Sequence, residues 1–215
     1  MSRLTAVLSV LPKRLFNYPQ NLESLFNKLN NKIASSMREE GKAANILDIE
    51  RNTAFFNPSF ASIRAIAVNL FVDDQEGDTF YLDACDEDEA LGLNQFNELT
   101  QSARQFVTFN GFNFDIPFLR VRLALHSIRP LNPTFPLLTA RYRSVPHYDI
   151  FQMYGDWGRY MPSLEILDAV FNQNRLTPWI NKEYWEIPDQ ELQEYALARL
   201  ATIKAVYLTM SKVLV

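Results

Sequence analysis

Hydrophobic and polar positions change period several times along the 215-residue chain. "NLESLFNKLNNKI" spaces Leu22, Leu25, Phe26, Leu29 and Ile33 on one stripe, which predicts an amphipathic helix with Asn21 as its N-cap. "NILDIE", residues 45–50, has the pattern of a short buried strand. "ASIRAIAVNLFV" and "TFYLDA" predict two strands joined by the acidic turn "DDQEGD". "DEDEALGLNQFNELTQSA" predicts a helix with acids at its start, and "RQFVTFN" another strand. Gly111 ends that strand, and "FDIPFLRVRLALHS" predicts a helix with Pro117 in its first turn. The four prolines of "IRPLNPTFPLLTARYRSVP" predict a loop. "HYDIFQMYGDW" starts as a strand, "PSLEILDAVFNQ" predicts a short helix capped by Ser163, and the chain ends in the long helix "DQELQEYALARLATIKAVYLTMSKVL". Strands alternating with helices in this order predict an α/β fold with antiparallel pairing early and helical crossovers later.

Composition narrows the picture. A hydrophobic fraction of 47% is enough for a large core. The single cysteine, Cys85, excludes an internal disulfide framework and a cysteine-cluster zinc site, and fits a reducing cytoplasmic setting. No apolar run has the length that spans a bilayer, so no membrane partner is expected. The first 22 residues lack acids and carry Arg3, Lys13 and Arg14, a weak organelle-targeting composition. A net charge of −4 does not advertise nucleic-acid binding, but its distribution is uneven. Residues Asp73–Glu89 are densely acidic, as a solvated hairpin and loop would be. Residues Ile116–Tyr148 contain no acid and carry Arg120, Arg122, Arg129, Arg141, Arg143, His126 and His147.

The candidate chemistry lies in carboxylates. On a strand, Asp48 and Glu50 would face the same side and repel each other unless a cation sat between them. Asp115, in "NGFNFDIPFL", is a third acid at a strand-turn-helix corner within an apolar run. Acids converging from strand ends suit a hard metal ion such as Mg²⁺ or Mn²⁺; solvated strand-end acids are the plainer alternative.

"DIE" at 48–50 and "NGFNFD" at 110–115 resemble the first two motifs of the DEDD exonuclease superfamily, which has the ribonuclease H-like fold. With "RYRSVPHYDIFQMY" and "PSLEILDAVF", the chain from about Asn45 onward is most similar to predicted 3′–5′ exonucleases related to the proofreading domain of family B DNA polymerases. The resemblance implies a mixed central sheet flanked by helices over residues 45–215, with residues 1–44 as a helical extension packed on it and available to a protein partner. It implies that Asp48, Glu50 and Asp115 hold metal, with Asp48 bridging two ions about 4 Å apart. It makes Tyr195 the residue orienting the attacking water and Asp149 a supporting or capping acid. It also makes Asn110, Phe112, Phe114, Arg120, Arg141, Arg143 and His147 candidates to contact the 3′ end of single-stranded DNA or RNA; the alternatives are a bond from Asn110 to the backbone of the turn, core packing for Phe112 and Phe114, and surface arginines without a ligand.

The third motif departs from that pattern, since Arg199 stands four residues after Tyr195 where the fourth acid is expected. Helical spacing puts both on one face, one turn apart. Glu191 shares the face but lies two turns from position 199, about 12 Å along the axis, and Glu194 points elsewhere. Arginine does not lose its proton, so it would fill one metal position with a fixed charge and a donor fork. Three carboxylates and one guanidinium leave two negative charges, which at most one divalent ion would balance. The expectation is an impaired or inactive exonuclease-like protein with Arg199 bridged to one of the acids. An active metal-dependent exonuclease and a non-enzymatic scaffold are the alternatives.

Overall fold

The computed structural model describes residues 3–14, 20–73, 75–83, 89–180, 182 and 184–214. Asp74, in the acidic turn, and Cys85 with Asp86–Asp88 lie outside these residues. A five-stranded mixed sheet forms the middle layer, in the order β3-β2-β1-β4-β5. Its strands are β1 (Leu4–Arg14), β2 (Ala61–Val72), β3 (Asp78–Asp83), β4 (Gln105–Thr108) and β5 (His147–Asp149). The first three pair antiparallel, and β1, β4 and β5 run parallel. On one face lie α3 (Glu89–Thr100) and α4 (Asp115–Leu125); α5 (Ile150–Tyr154), α6 (Leu164–Val170) and α7 (Leu192–Leu214) cover the other. A pair of helices, α1 (Gln20–Glu39) and α2 (Ile46–Phe56), packs beside β1 and β2.

The central strand corrects the expected boundary at residue 44. Residues 4–14 are not part of a helical extension; they form β1, between β2 and β4. Val7 and Leu11 face the core beneath α7, while Ala6, Leu8 and Val10 face the core beneath α3 and α4. A strand buried on both faces has no alternation, which is why "LTAVLSVL" reads as a continuous apolar run. Pro12 is tolerated because it sits at a register shift in the β1–β2 ladder.

The second correction concerns "NILDIE". It is the start of α2, not a strand. The Asn45 side-chain oxygen accepts from the Leu47 N–H at 3.1 Å, and its amide donates to the Asp48 carboxylate at 2.7 Å. The two side chains close the N-terminus in the manner of a capping box, and an acid in the first turn is favoured there by the helix dipole. Ile49, Thr53 and Ala54 are buried, a helical spacing, while Leu47 and Asp48 face solvent.

Two smaller corrections follow. α1 starts at Gln20, so Asn21 lies in its first turn and Leu25 faces solvent; Phe26 and Ala34 are buried. Glu89 does not belong to a solvated acidic run but is 3% exposed. The other expected strands, and the helices at 89–100, 115–125, 164–170 and 192–214, form where the periodicity predicts them. Ser163 caps α6 through the Ile166 N–H at 3.2 Å. Among the described residues no helix is long and apolar enough to cross a membrane.

Candidate functional site

The site begins with the loop between β4 and α4. β4 ends at Thr108, and the chain turns through Asn110, whose φ is +62°. Asp149, at the end of β5, holds this turn: its carboxylate accepts from the backbone N–H groups of Asn110 (2.8 Å) and Phe112 (2.9 Å). The same carboxylate caps α5 through the Phe151 N–H at 3.0 Å. Burial pushes Asp149 up to about 6, and the amide donors oppose the rise. Gly111 is required because a Cβ there would lie 2.1 Å from Thr108 Oγ1.

His147 completes the brace. Its Nδ1 lies 2.7 Å from the Leu138 carbonyl, so Nδ1 carries the proton, and Nε2 accepts from the Thr108 hydroxyl at 2.8 Å. The Thr108 oxygen in turn accepts from the Gly111 N–H at 3.2 Å. Burial pushes His147 down to about 4, leaving a neutral ring at physiological pH. His147 is 1% exposed and both nitrogens are engaged, so it positions the loop and is closed to a ligand. Phe112 is buried as well, with its ring 4.3 Å from that of His147. The expected contact of these two residues with nucleic acid is therefore corrected to a supporting position.

Beyond the loop opens a cleft of about 530 Å³, within the range of small-ligand sites. Asn110, Asn113, Phe114 and Asp115 line one side, the end of β1 forms the floor, and Tyr195 and Arg199 of α7 line the other side. Phe56 from α2, Tyr184 and Lys182 complete the rim, with Glu165 from α6. Aromatic edges surround the opening: Phe114 meets Phe56 at 5.6 Å, and Tyr184 lies 6.3 Å from Tyr195. Tyr184 is anchored by its hydroxyl, which donates to the Pro12 carbonyl at 2.5 Å.

Asp115, the first residue of α4, is 5% exposed. Its carboxylate accepts from the Val10 N–H at 2.8 Å. That donor is free because β1 pairs with β4 only as far as Val7↔Val107. Burial raises Asp115 to about 7, more than the Val10 N–H and the Arg199 charge lower it, and Asp149 adds to the rise.

Arg199 is partly buried and makes no ion pair among the described residues. Its Nη1 donates to the Tyr195 hydroxyl at 3.2 Å, its Nε lies 3.5 Å from Ser9 Oγ, and its guanidinium sits 5.5 Å from the Tyr195 ring centre. Burial opposes its charge, but Tyr195, Asp115 and Glu165 outweigh that cost. The expected salt bridge to Asp48, Glu50 or Asp115 is thus corrected to a longer-range coupling with Asp115.

Asp48 and Glu50 do not join this cluster. Both sit on α2, Asp48 capping its own helix, and neither lines the cleft. The carboxylates that do line it are Asp115 and Glu165, and among the described residues no group of three metal-ligating side chains forms. Two carboxylates beside a guanidinium do not fit a pair of divalent ions. Arg120, Arg141 and Arg143 are exposed and stand outside the cleft; Arg120 donates to Thr139 Oγ1 at 3.3 Å. Sequence reasoning missed Ser9, Tyr184 and Glu165. The apolar run around Ser9 was the available signal for the first; no spacing rule links the other two to Asp115.

A family comparison agrees with this α/β architecture. A model of the RNase H superfamily, RNase_H_2, matches residues 46–183. The chain belongs to the RNase H superfamily, a class of nuclease-like folds associated with nucleic acids and usually with divalent metals. The match runs from α2 to residue 183 and so excludes β1 and α7, which supply Ser9, Tyr195 and Arg199. No match was found among curated proteins.

Proposed function

We propose that this protein binds the end of a single-stranded nucleic acid in the Asp115–Arg199 cleft, as an exonuclease-like protein of the DEDD type with impaired hydrolysis. The observation that carries this reading is the cleft's donor set. A guanidinium with no carboxylate partner among the described residues stands beside a carboxyl group that burial raises to about 7. A guanidinium presents a fork suited to phosphate oxygens. Phe56, Phe114, Tyr184 and Tyr195 offer ring edges and faces to a base, and the Asn110 and Asn113 amides offer polar contacts. In its protonated form Asp115 adds no charge to repel the phosphate. A divalent ion would have Asp115 and Glu165 to bind, with the Arg199 charge opposing it.

The likeness of "NGFNFD" and "HYD" to 3′–5′ exonucleases of the family B polymerase type supports a terminal nucleotide as the ligand. Metal titration of the wild type beside Arg199→Asp, with a degradation assay on labelled oligothymidylate in Mg²⁺ and in Mn²⁺, tests the proposal. The expected result is oligonucleotide binding without degradation by the wild type, and metal binding gained by the variant. Efficient metal-dependent degradation by the wild type, abolished by Asp115→Ala, would show that catalysis is intact.

A further inference from the structure

A second aromatic feature lies across the β4–α4 loop from the cleft. Asn110, Asn113 and Phe114 of that loop line the cleft, whereas Phe112 turns the other way and packs between His147 and Trp157. The Trp157 ring is 6.0 Å from Phe112 and 4.6 Å from Tyr142. The series His147, Phe112, Trp157, Tyr142 therefore runs from the core to the surface, and ends on a tyrosine that is 75% exposed.

Core packing accounts for the inner members but not for the outer pair. Tyr142 and Trp157 both have positive φ, +63° and +54°, a backbone region that bulky side chains avoid. The turn around Trp157 is hydrogen-bonded in place: Trp157 N–H donates to the Gln152 carbonyl at 3.0 Å, and Tyr160 N–H donates to the Gly155 carbonyl at 2.9 Å. A conformation of this cost, used to bring two rings together at the surface, is characteristic of ligand contacts. The flanking charges are mostly positive. Arg141 and Arg143, on either side of Tyr142, are exposed and make no ion pair among the described residues; Arg159 is a third exposed guanidinium, 3.8 Å from the one acid of the patch, Asp156.

We infer that Tyr142 and Trp157, with Arg141 and Arg143, form a stacking subsite for an unpaired base of a single-stranded nucleic acid whose end occupies the cleft. The inference rests on the nucleic-acid reading of the cleft. An exposed ring takes any base on its face, and adjacent guanidinium groups neutralise the phosphates on either side of that base. Duplex ends have no base free to stack in this way, so the subsite selects single strands.

The test compares labelled trithymidylate, long enough for the cleft alone, with labelled dodecathymidylate, by fluorescence anisotropy on the full chain. The wild type binds the longer strand at least tenfold tighter. Tyr142→Ala removes about tenfold from the longer strand, leaves the trimer unchanged, and melts with the wild type because the side chain is exposed. Arg141→Glu with Arg143→Glu weakens the longer strand further and flattens its salt dependence. Equal affinity of Tyr142→Ala and wild type for the longer strand overturns the subsite and leaves the cleft reading standing. Failure of the wild type to bind either strand overturns both.

Discussion

Two buried acids, at the starts of two helices on the same face of the sheet, show how partners decide the state of a carboxyl group. Glu89, at the start of α3, and Asp115, at the start of α4, are both at most 5% exposed. Glu89 is closed into a network. It pairs with Arg122 through both oxygens, accepts from the Ile63 N–H at 2.7 Å and lies 2.8 Å from His126 Nε2. Burial alone would raise it, but Arg122, Ile63 and His126 together hold it below the ordinary carboxylate value. Asp115 is held by backbone amides, the Val10 N–H first, and forms no ion pair with Arg199; burial raises it to about 7. A closed network uses up its charges on structure. An open one leaves both the acid and the arginine with unused capacity, and only the second kind can take a ligand.

The largest expected effect is on the closed cluster. Glu89→Gln strands the Arg122 charge in a buried position and should cost about 3–5 kcal/mol, read by denaturant unfolding. Because Glu89 is lowered by folding, its contribution is present above the unfolded value of 4.5 and is lost as pH falls through the lower folded value. A loss below about 1 kcal/mol would mean that the two clusters are not as different as the geometry makes them.

Asp115 should behave in the opposite sense. Its folded value lies above the unfolded 3.8, so the folded state binds the extra proton and stability falls as pH rises from about 4 to about 7. Asp115→Asn, which keeps an oxygen for the Val10 N–H, should stabilise the protein by on the order of 2 kcal/mol at pH 8 and by little at pH 4. A destabilised variant at pH 8 would show that the ionised carboxylate is satisfied after all. The same group sets a pH effect on binding: wild-type affinity for oligothymidylate should rise as pH falls from 8 to 6, and Asp115→Asn should flatten that profile. The smallest stability effect is expected at Arg199, which joins no ion pair among the described residues; Arg199→Met should move the midpoint of unfolding little while weakening oligonucleotide binding.

Much of this was legible in the sequence where local pattern and tertiary environment agree. The apolar strand at 61–72 and the long final helix are of this kind, and "NGFNFD", Tyr195 and Arg199 do meet at one cleft. "NILDIE" was not legible, because six residues fit a strand and a helix start equally, and the Asn45–Asp48 cap decides between them. β1 was hidden for a different reason: its lack of acids reflects burial on both faces, and the same lack is found in targeting segments. The direction of Phe112 and Phe114 is set by Asp149 and His147, thirty-odd residues away, so no local pattern separates the inward ring from the one at the cleft.

The central claim is that Arg199 provides in this cleft the cation that recognises a nucleic-acid end. Its most direct test is the affinity of labelled oligothymidylate in the presence of a chelator, for wild type and Arg199→Met. The account predicts tight binding without added metal and about a tenfold loss in the variant, the size expected of a charged hydrogen-bonding group. Binding that appears only on adding Mg²⁺ or Mn²⁺, and is unchanged in Arg199→Met, would contradict it.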